Sequence, residues 1–186
     1  SWPFWIPNHC CSDVFTLSIW YKWLKKEYTQ YYISEEEKKF AANFLQQNNI
    51  QDYIIIQNRY VNDATRSDRN ISPQVLQSLI QFWLKNTQDN IIIIGGNEDQ
   101  PLNLENSNRI LDTQKLNLTI SELSGIIEKS KGFIGTLSGP SNLAGALNKK
   151  VVCLPISYQW AGVKWHFQSM PLMSDEDFLY IKDANE

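Results

Sequence analysis

The sequence has few cysteines and no long apolar run. Its 186 residues include three cysteines, of which Cys10 and Cys11 are adjacent, so one thiol is left over and no disulfide framework is expected. The longest purely aliphatic run, Ile91 to Ile94, is far too short to cross a membrane, and no signal peptide is recognisable. We expect a cytoplasmic protein without a transmembrane segment, with peripheral attachment to the inner face of a membrane as the alternative.

The sequence also lacks an excess of positive charge. Lysine and arginine number 17 against 20 acidic residues, a net charge of -3. Because no basic stripe runs along the chain, nucleic acid is not an expected partner. Candidate metal ligands are equally scarce, since His9, Cys10 and Cys11 form one cluster with no second ligand pair at zinc spacing. We expect neither a metal site nor a cofactor.

Three regions differ in composition. Residues 1–33 are rich in Trp and Tyr, which predicts an aromatic linker with an N-terminal helical segment packed on the main domain or on a missing neighbour. Residues 34–157 alternate between strand and helix patterns, and residues 158–186 form a C-terminal extension with little pattern. Because the chain starts at Ser1 rather than Met, we expect it to be a piece of a longer protein.

The central region predicts an α/β fold. Aliphatic runs predict strands near 53–57, 91–95, 109–112, 133–137 and 151–154. A capping box beginning at Ser34 and the pair Ser72-Pro73 mark helix starts between them. Strands that alternate with helices at this spacing form a parallel sheet with right-handed crossovers. The predicted fold is therefore a Rossmann-like parallel sheet with helices on both faces.

The most informative loop follows the fourth predicted strand. Ligands of open parallel sheets bind beyond the carboxyl ends of the strands. Here the sequence runs through Ser138-Gly139-Pro140-Ser141-Asn142 directly into a helix. The glycine allows close approach to the backbone, and the free N–H groups at the positive end of a helix attract anions. Phosphate is the expected ligand, and a tight turn that binds nothing is the alternative.

Two other loops at the same edge carry complementary side chains. The loop after the first strand contains Arg59, Arg66 and Arg69, and a guanidinium can neutralise a diphosphate. The loop after the second strand contains Gly95-Gly96-Asn97-Glu98, whose carboxylate can accept hydrogen bonds from ribose hydroxyls. For each residue taken singly, a solvent-exposed loop position is the alternative.

These loops together resemble those of the ADP-heptose:lipopolysaccharide heptosyltransferases and their relatives in glycosyltransferase family 9. The resemblance covers about residues 34–157 and rests on the segments 63–69, 91–98, 118–123 and 135–144. Its most specific part is the Ser-Gly-Pro turn followed by Leu143-Ala144. The family consists of two-domain GT-B glycosyltransferases, so the resemblance implies one half of a GT-B fold, the C-terminal half that binds the donor.

The resemblance also implies roles for single residues. Ser138 and Gly139 would hold the donor diphosphate through backbone N–H groups. Arg69 would stand where the family usually has a phosphate-binding lysine, and Arg66 and Arg59 of the same loop are the alternative partners of the phosphate. The resemblance also implies that two residues on other loops contact the nucleoside. Glu98 would approach the ribose, and Leu118 would lie near the base.

Two residues of the turn depart from the family pattern. Leu137 stands where the family usually has Asp, and Asn142, which would also lie at the donor phosphate, stands where it usually has His. The segment from Pro155 to Met170 is more similar to distant relatives than to the heptosyltransferases themselves. The resemblance therefore leaves the catalytic residues unassigned.

The implied function is donor binding in an enzyme that transfers a sugar from a nucleotide-diphosphate sugar to a glycan or lipid-linked, lipopolysaccharide-type acceptor. The acceptor site and the catalytic base would belong to an N-terminal Rossmann domain that this sequence does not contain. The main alternative is a non-catalytic GT-B-like binding or assembly module that has lost the donor-site Asp and His. Two lesser alternatives are a plain flavodoxin-like domain and a nucleotide-sugar epimerase, for which only His166 is available as a cleft histidine.

Overall fold

The computed structural model describes residues 30–60, 70–104, 107–136 and 138–154, together with the backbone of 178–180. The aromatic segment up to residue 29 lies outside the described residues. So do Arg66, Arg69, Leu137 and most of the predicted C-terminal extension.

Helices and strands alternate along the described chain. The helices are α1 (Glu35–Gln47), α2 (Pro73–Asn86), α3 (Ile120–Lys129) and α4 (Gly139–Ala146), with a 3-10 turn at Gln114–Leu116. The strands are β1 (Tyr53–Gln57), β2 (Asn90–Ile94), β3 (Ile110–Asp112), β4 (Phe133–Gly135), β5 (Val151–Cys153) and β6 (Phe178–Tyr180). Each predicted strand and helix of the central region is present, with ends shifted by a few residues.

Local sequence explains where these helices begin. Helices α1, α3 and α4 each start with a reciprocal capping box, at Ser34, Thr119 and Ser138, which satisfies N–H groups that have no partner inside the helix. Helix α2 instead starts with Pro73, whose fixed φ suits the first helical position. Within the described ranges, no helix is long and apolar enough to cross a membrane.

The strands form one sheet in the order β3-β2-β1-β4-β5-β6, and every neighbouring pair is parallel. The predicted Rossmann-like α/β fold is confirmed. Strand β6, which pairs with β5, was not predicted, because its residues fall in the patternless extension. The strand order reverses between β1 and β4, and this reversal leaves a crevice beyond the carboxyl ends of the two strands.

Alternate side chains of the central strands fill two cores. Tyr53 and Ile55 pack with α1, α3 and α4 on one face, while Ile54 and Ile56 pack with α2 on the other. Helices therefore cover both faces, as right-handed crossovers in opposite directions require. Helices α1 and α3 approach closely because α3 carries Gly125, where a Cβ atom would collide with the backbone of α1.

Candidate functional site

A cavity of about 520 Å³ opens beyond the carboxyl ends of the strands, at the crevice between β1 and β4. The ends of β1, β2 and β4, the turn after β3 and the start of α4 line the cavity. Its lining residues are Gln57, Arg59, Ile94, Gly95, Gly96, Asn97, Asp99, Thr113, Gln114, Asn117, Leu118, Leu123, Thr136, Ser138, Gly139 and Pro140. The cavity thus lies where a doubly wound sheet binds its ligand.

The turn from β4 into α4 presents one free backbone donor. The Ser138 N–H donates to Ser141 Oγ at 2.8 Å, and the Ser141 N–H donates back to Ser138 Oγ at 3.4 Å. Pro140 has no N–H to offer. The Gly139 N–H has no hydrogen-bond partner among the described residues, and a Cβ atom at this position would meet nothing within 4 Å. Gly139 therefore lines the cavity with open space beside its Cα atom.

Gln57 crosses from the end of β1 to the β4–α4 turn. Its side chain is buried, and its Oε1 accepts a hydrogen bond from Ser138 Oγ at 2.8 Å. It lies over Gly135, where a Cβ atom would come within 2.7 Å of Gln57 Cβ and 2.8 Å of Gln57 Oε1. Only glycine on β4 leaves room for Gln57 in this position.

A buried carboxylate fastens the glycine turn to the end of β1. The Asp99 side chain is 1% exposed, and its two oxygens accept hydrogen bonds from the Gly96 N–H at 2.6 Å and the Tyr60 N–H at 2.9 Å. Arg59 Nη1 lies 3.5 Å from Asp99 Oδ1 and 3.2 Å from Glu98 Oε1. The charge of Asp99 is therefore compensated, and it leaves no bare anion to repel a phosphate.

Beneath this turn, polar groups pack tightly. Asn58 is fully buried and donates through Nδ2 to Gln100 O at 2.7 Å and to Gln114 Oε1 at 3.2 Å. Gly95 fits against this pair, since a Cβ atom there would come within 2.9 Å of Asn58 O and 3.0 Å of Gln114 Nε2. The close packing fixes the wall of the cavity that is formed by the ends of β1 and β2.

The opposite rim of the cavity combines amide and apolar side chains. Asn97 Nδ2 donates to Asn117 Oδ1 across the mouth, and Asn117 adopts the left-handed conformation with φ of 49°. Leu118 lines the cavity beside them, and Leu116 and Ile120 are exposed close by in the chain. In the parts of the chain that the structure describes, no group of three His, Cys, Asp or Glu side chains is arranged to hold a metal ion.

The structure brings together part of the predicted site. Ser138, Gly139 and Leu118 line the cavity. Glu98 pairs with Arg59, and Asn142 lies inside α4, where its N–H donates to Ser138 O at 3.0 Å.

Sequence reasoning did not single out Gln57, Asp99, Gln114 or Thr136, which all line the cavity. A signal was available for two of them. Gln57 and Thr136 are polar residues at the carboxyl ends of strands whose other residues are aliphatic, and such residues lie at the ligand-binding edge of a parallel sheet.

The fold is a Rossmann-like α/β domain with a cavity at the carboxyl ends of its parallel strands. No protein-family model and no curated protein matches the sequence. Solved structures do match it. One is the glycosyl transferase family 9 from Veillonella parvula DSM 2008, with a TM-score of 0.69 and 13% identity over 96% of this chain and 51% of that chain.

Two Escherichia coli structures are also similar. For ADP-heptose lps heptosyltransferase II, the TM-score is 0.62 at 16% identity, over 84% of this chain and 46% of that chain. For heptosyltransferase WaaC with ADP-2-deoxy-2-fluoro heptose, it is 0.56 at 15% identity, over 93% and 48%. The predicted structural resemblance to heptosyltransferases is confirmed at the level of the fold, and the chain spans about half the length of these structures.

Proposed function

We propose that this chain is the donor-binding half of a glycosyltransferase and binds a nucleoside-diphosphate sugar in the cavity between β1 and β4. The observation that carries the proposal is the start of α4 at Gly139, which lines an open cavity at the reversal of strand order and whose N–H has no partner among the described residues. A helix start at this position is suited to phosphate. The names of the similar heptosyltransferase structures, which include ADP-heptose and an ADP-fluoroheptose, support a nucleoside-diphosphate ligand.

The groups around the cavity suit the parts of such a ligand. The diphosphate would lie at Gly139, with positive charge supplied by Arg69 or Arg66. Leu118 and its neighbours offer an apolar surface to the base. Glu98 would reach the ribose after exchanging its contact with Arg59, because a carboxylate can accept hydrogen bonds from ribose hydroxyls.

Transfer of the sugar requires groups beyond this half. In the proposed enzyme, an N-terminal Rossmann domain supplies the acceptor site and the catalytic base. The acceptor is a glycan or a lipid-linked glycan. We therefore expect this chain alone to bind the donor without transferring sugar. The departures at Leu137 and Asn142 support a second candidate, a non-catalytic module of the same fold that no longer binds a donor.

Calorimetric titration separates the two candidates. We expect weak binding of at least one of ADP, UDP and GDP, competed by inorganic phosphate, and much weaker binding of the matching nucleoside. Gly139→Val should weaken binding of the diphosphate by roughly tenfold or more, since a valine side chain would enter the open space of the cavity beside Gly139. Ser78→Val, which adds the same side chain on the exposed surface of α2, should bind as wild type.

The arginine assignment is tested in the same assay. Arg69→Ala should weaken diphosphate binding by roughly ten- to a hundredfold and leave the nucleoside unchanged. Loss in Arg66→Ala instead would assign the contact to Arg66. If none of the three diphosphates binds at millimolar concentration, the donor-binding proposal is wrong and the non-catalytic module is favoured.

A further inference from the structure

Two buried side chains of the cavity have hydrogen-bonding capacity that the protein does not use. Thr136 is 0% exposed, and its Oγ1 has no hydrogen-bond partner. Gln57 is 6% exposed, and its NH₂ group has no partner among the described residues. A buried hydroxyl such as that of Thr136 is nearly always paired in folded proteins, whereas the Gln57 NH₂ group is not among the buried atoms that lack a partner. We call these two residues the cavity floor, since both are buried and both line the cavity.

The hydrogen bonds of Ser138 fix which end of the Gln57 amide is available. Ser138 Oγ already accepts the Ser141 N–H, so the proton of its hydroxyl needs an acceptor. Two acceptors lie within reach of that proton, Gln57 Oε1 at 2.8 Å and Ser141 Oγ at 3.5 Å, and Gln57 Oε1 is the closer of the two. The NH₂ group, which can only donate, is therefore the end left without a partner.

The floor lies next to the start of α4. Ile56 of β1 is in register with Ile134 of β4, so Gln57 lies one residue further along β1 and Thr136 two residues further along β4. The turn then continues to Ser138 and to the free Gly139 amide. Three unused groups that can donate hydrogen bonds thus come from two adjacent strands and one helix start.

We propose that Gln57 and Thr136 bind phosphate oxygens of the ligand, as uncharged donors that act together with the Gly139 amide. The inference rests on the proposed function and extends it to residues that the resemblance did not assign. Two of the three groups can only donate, which suits a phosphate with its acceptor oxygens and suits a hydroxyl or a base edge less well. The positive end of α4 adds to the preference for an anion.

Two nearly isosteric substitutions test the floor. Thr136→Val removes only the hydroxyl, and Gln57→Glu keeps an acceptor for Ser138 while it replaces the donating NH₂ with a charged oxygen. The probe is the diphosphate among ADP, UDP and GDP that binds wild type most tightly. We expect Thr136→Val to weaken its binding by roughly tenfold. Gln57→Glu should weaken binding more than Thr136→Val does, because the new negative charge repels the phosphate. Affinity for the matching nucleoside should change less than twofold.

Thermal unfolding separates a binding role from a structural one. Without ligand, Thr136→Val should melt at or above the wild-type temperature, since an unpaired buried hydroxyl contributes no hydrogen bond. The matched control is Ser130→Ala. Ser130 lies before β4, at the opposite edge of the sheet, and its buried hydroxyl donates to Ile127 O at 2.8 Å. This control should melt at a lower temperature and bind ADP normally.

Three results would count against the floor. If wild type binds a diphosphate and both floor variants bind it equally well, the inference is overturned while the proposed function stands. If Thr136→Val loses stability and keeps its affinity, the hydroxyl is structural, and the inference is again overturned. If wild type binds no diphosphate, the proposed function fails, and the inference fails with it.

Discussion

Polar side chains at the two edges of the sheet differ in burial, as Lys131 and Asp99 show. At the amino edge, Lys131 lies between Asp89 at 2.6 Å and Asp52 at 3.2 Å, with its side chain 49% exposed, and these acids raise its pKa. At the carboxyl edge, Asp99 is almost fully buried, and Asn58 and Thr136 each have a buried atom without a partner. Water can replace the contacts of Lys131, whereas the buried contacts of Asp99 have no substitute.

Substitutions at the two edges can test whether this difference in burial leads to different effects on stability and on ligand binding. Exposed ion pairs contribute little, because water and salt screen them. Buried polar groups are costly to leave without partners, so a protein keeps them where they position something. We therefore expect Asp99 at the carboxyl edge to be more sensitive to substitution than Lys131 at the amino edge, both for unfolding and for ligand binding.

The largest expected effect is that of Asp99→Ala at the carboxyl edge. The substitution leaves Arg59, 19% exposed, without its buried partner and frees the N–H groups of Tyr60 and Gly96. We expect a loss of about 3 kcal/mol in the free energy of unfolding, measured by urea denaturation. Lys131→Met is the amino-edge control and should show no resolvable change. Equal effects of the two variants would contradict the comparison.

A buried carboxylate away from both edges should control the acid sensitivity of the fold. Glu37 of α1 accepts hydrogen bonds from Ser34 N at 2.7 Å, Tyr31 Oη at 2.7 Å and Ser124 Oγ of α3 at 2.9 Å. These bonds, the Ser34 backbone bond first, lower the pKa of Glu37 from 4.5 to about 2. Its contribution to stability is therefore complete above the unfolded-state value and is lost as pH falls from there toward the folded-state value.

Glu37→Gln should cost on the order of 2 kcal/mol at pH 7. The difference from wild type should shrink as pH falls from 4.5 toward about 2, the two pKa values of this carboxyl. Urea midpoints across this range measure it, and Glu36→Gln, an exposed neighbour in the same turn, is the control. A difference that stays constant with pH would mean that the charge of Glu37 does not contribute.

The smallest effect concerns a pair of glycines, one at each edge. A Cβ atom at Gly95 would come within 2.9 Å of Asn58 O, a backbone atom that cannot easily move. At Gly132, before β4, the nearest atom is Lys150 O at 3.2 Å. We expect Gly95→Ala to cost about 1–2 kcal/mol. The cost at Gly132→Ala should be under about 0.5 kcal/mol, because alanine also reduces the entropy of the unfolded chain. A larger loss at Gly132, measured by thermal unfolding, would reverse the comparison.

The sequence predicted the fold well where the signals are local. Capping boxes and aliphatic runs are signals within a few neighbouring residues, so the helix starting after Ser34 and the first five strands could be recognised one by one. Strand β6 was not predicted, although its short apolar run contains Phe178 and Tyr180, residue types that are enriched in strands. Its pairing with β5 is a long-range contact that the run by itself does not indicate.

The candidate site was only partly predictable for the same reason. The Ser138-Gly139 turn is a local motif and was found. Gln57 meets Ser138 only because β1 pairs with β4, and no local pattern indicates which strands become neighbours. The sequence singled out Glu98 and not its neighbour Asp99, and the burial that distinguishes the two carboxylates is visible only in the structure.

The pairing of β1 with β4 has a consequence for the kinetics of folding. Gln57 and Ser138 are 81 residues apart in the chain, so the cavity is assembled only when a long loop closes, and contacts of such separation form late and slowly. A ligand that contacts both strands binds only after this closure. It should therefore lengthen the lifetime of the native state by slowing unfolding, while the rate of folding stays almost unchanged.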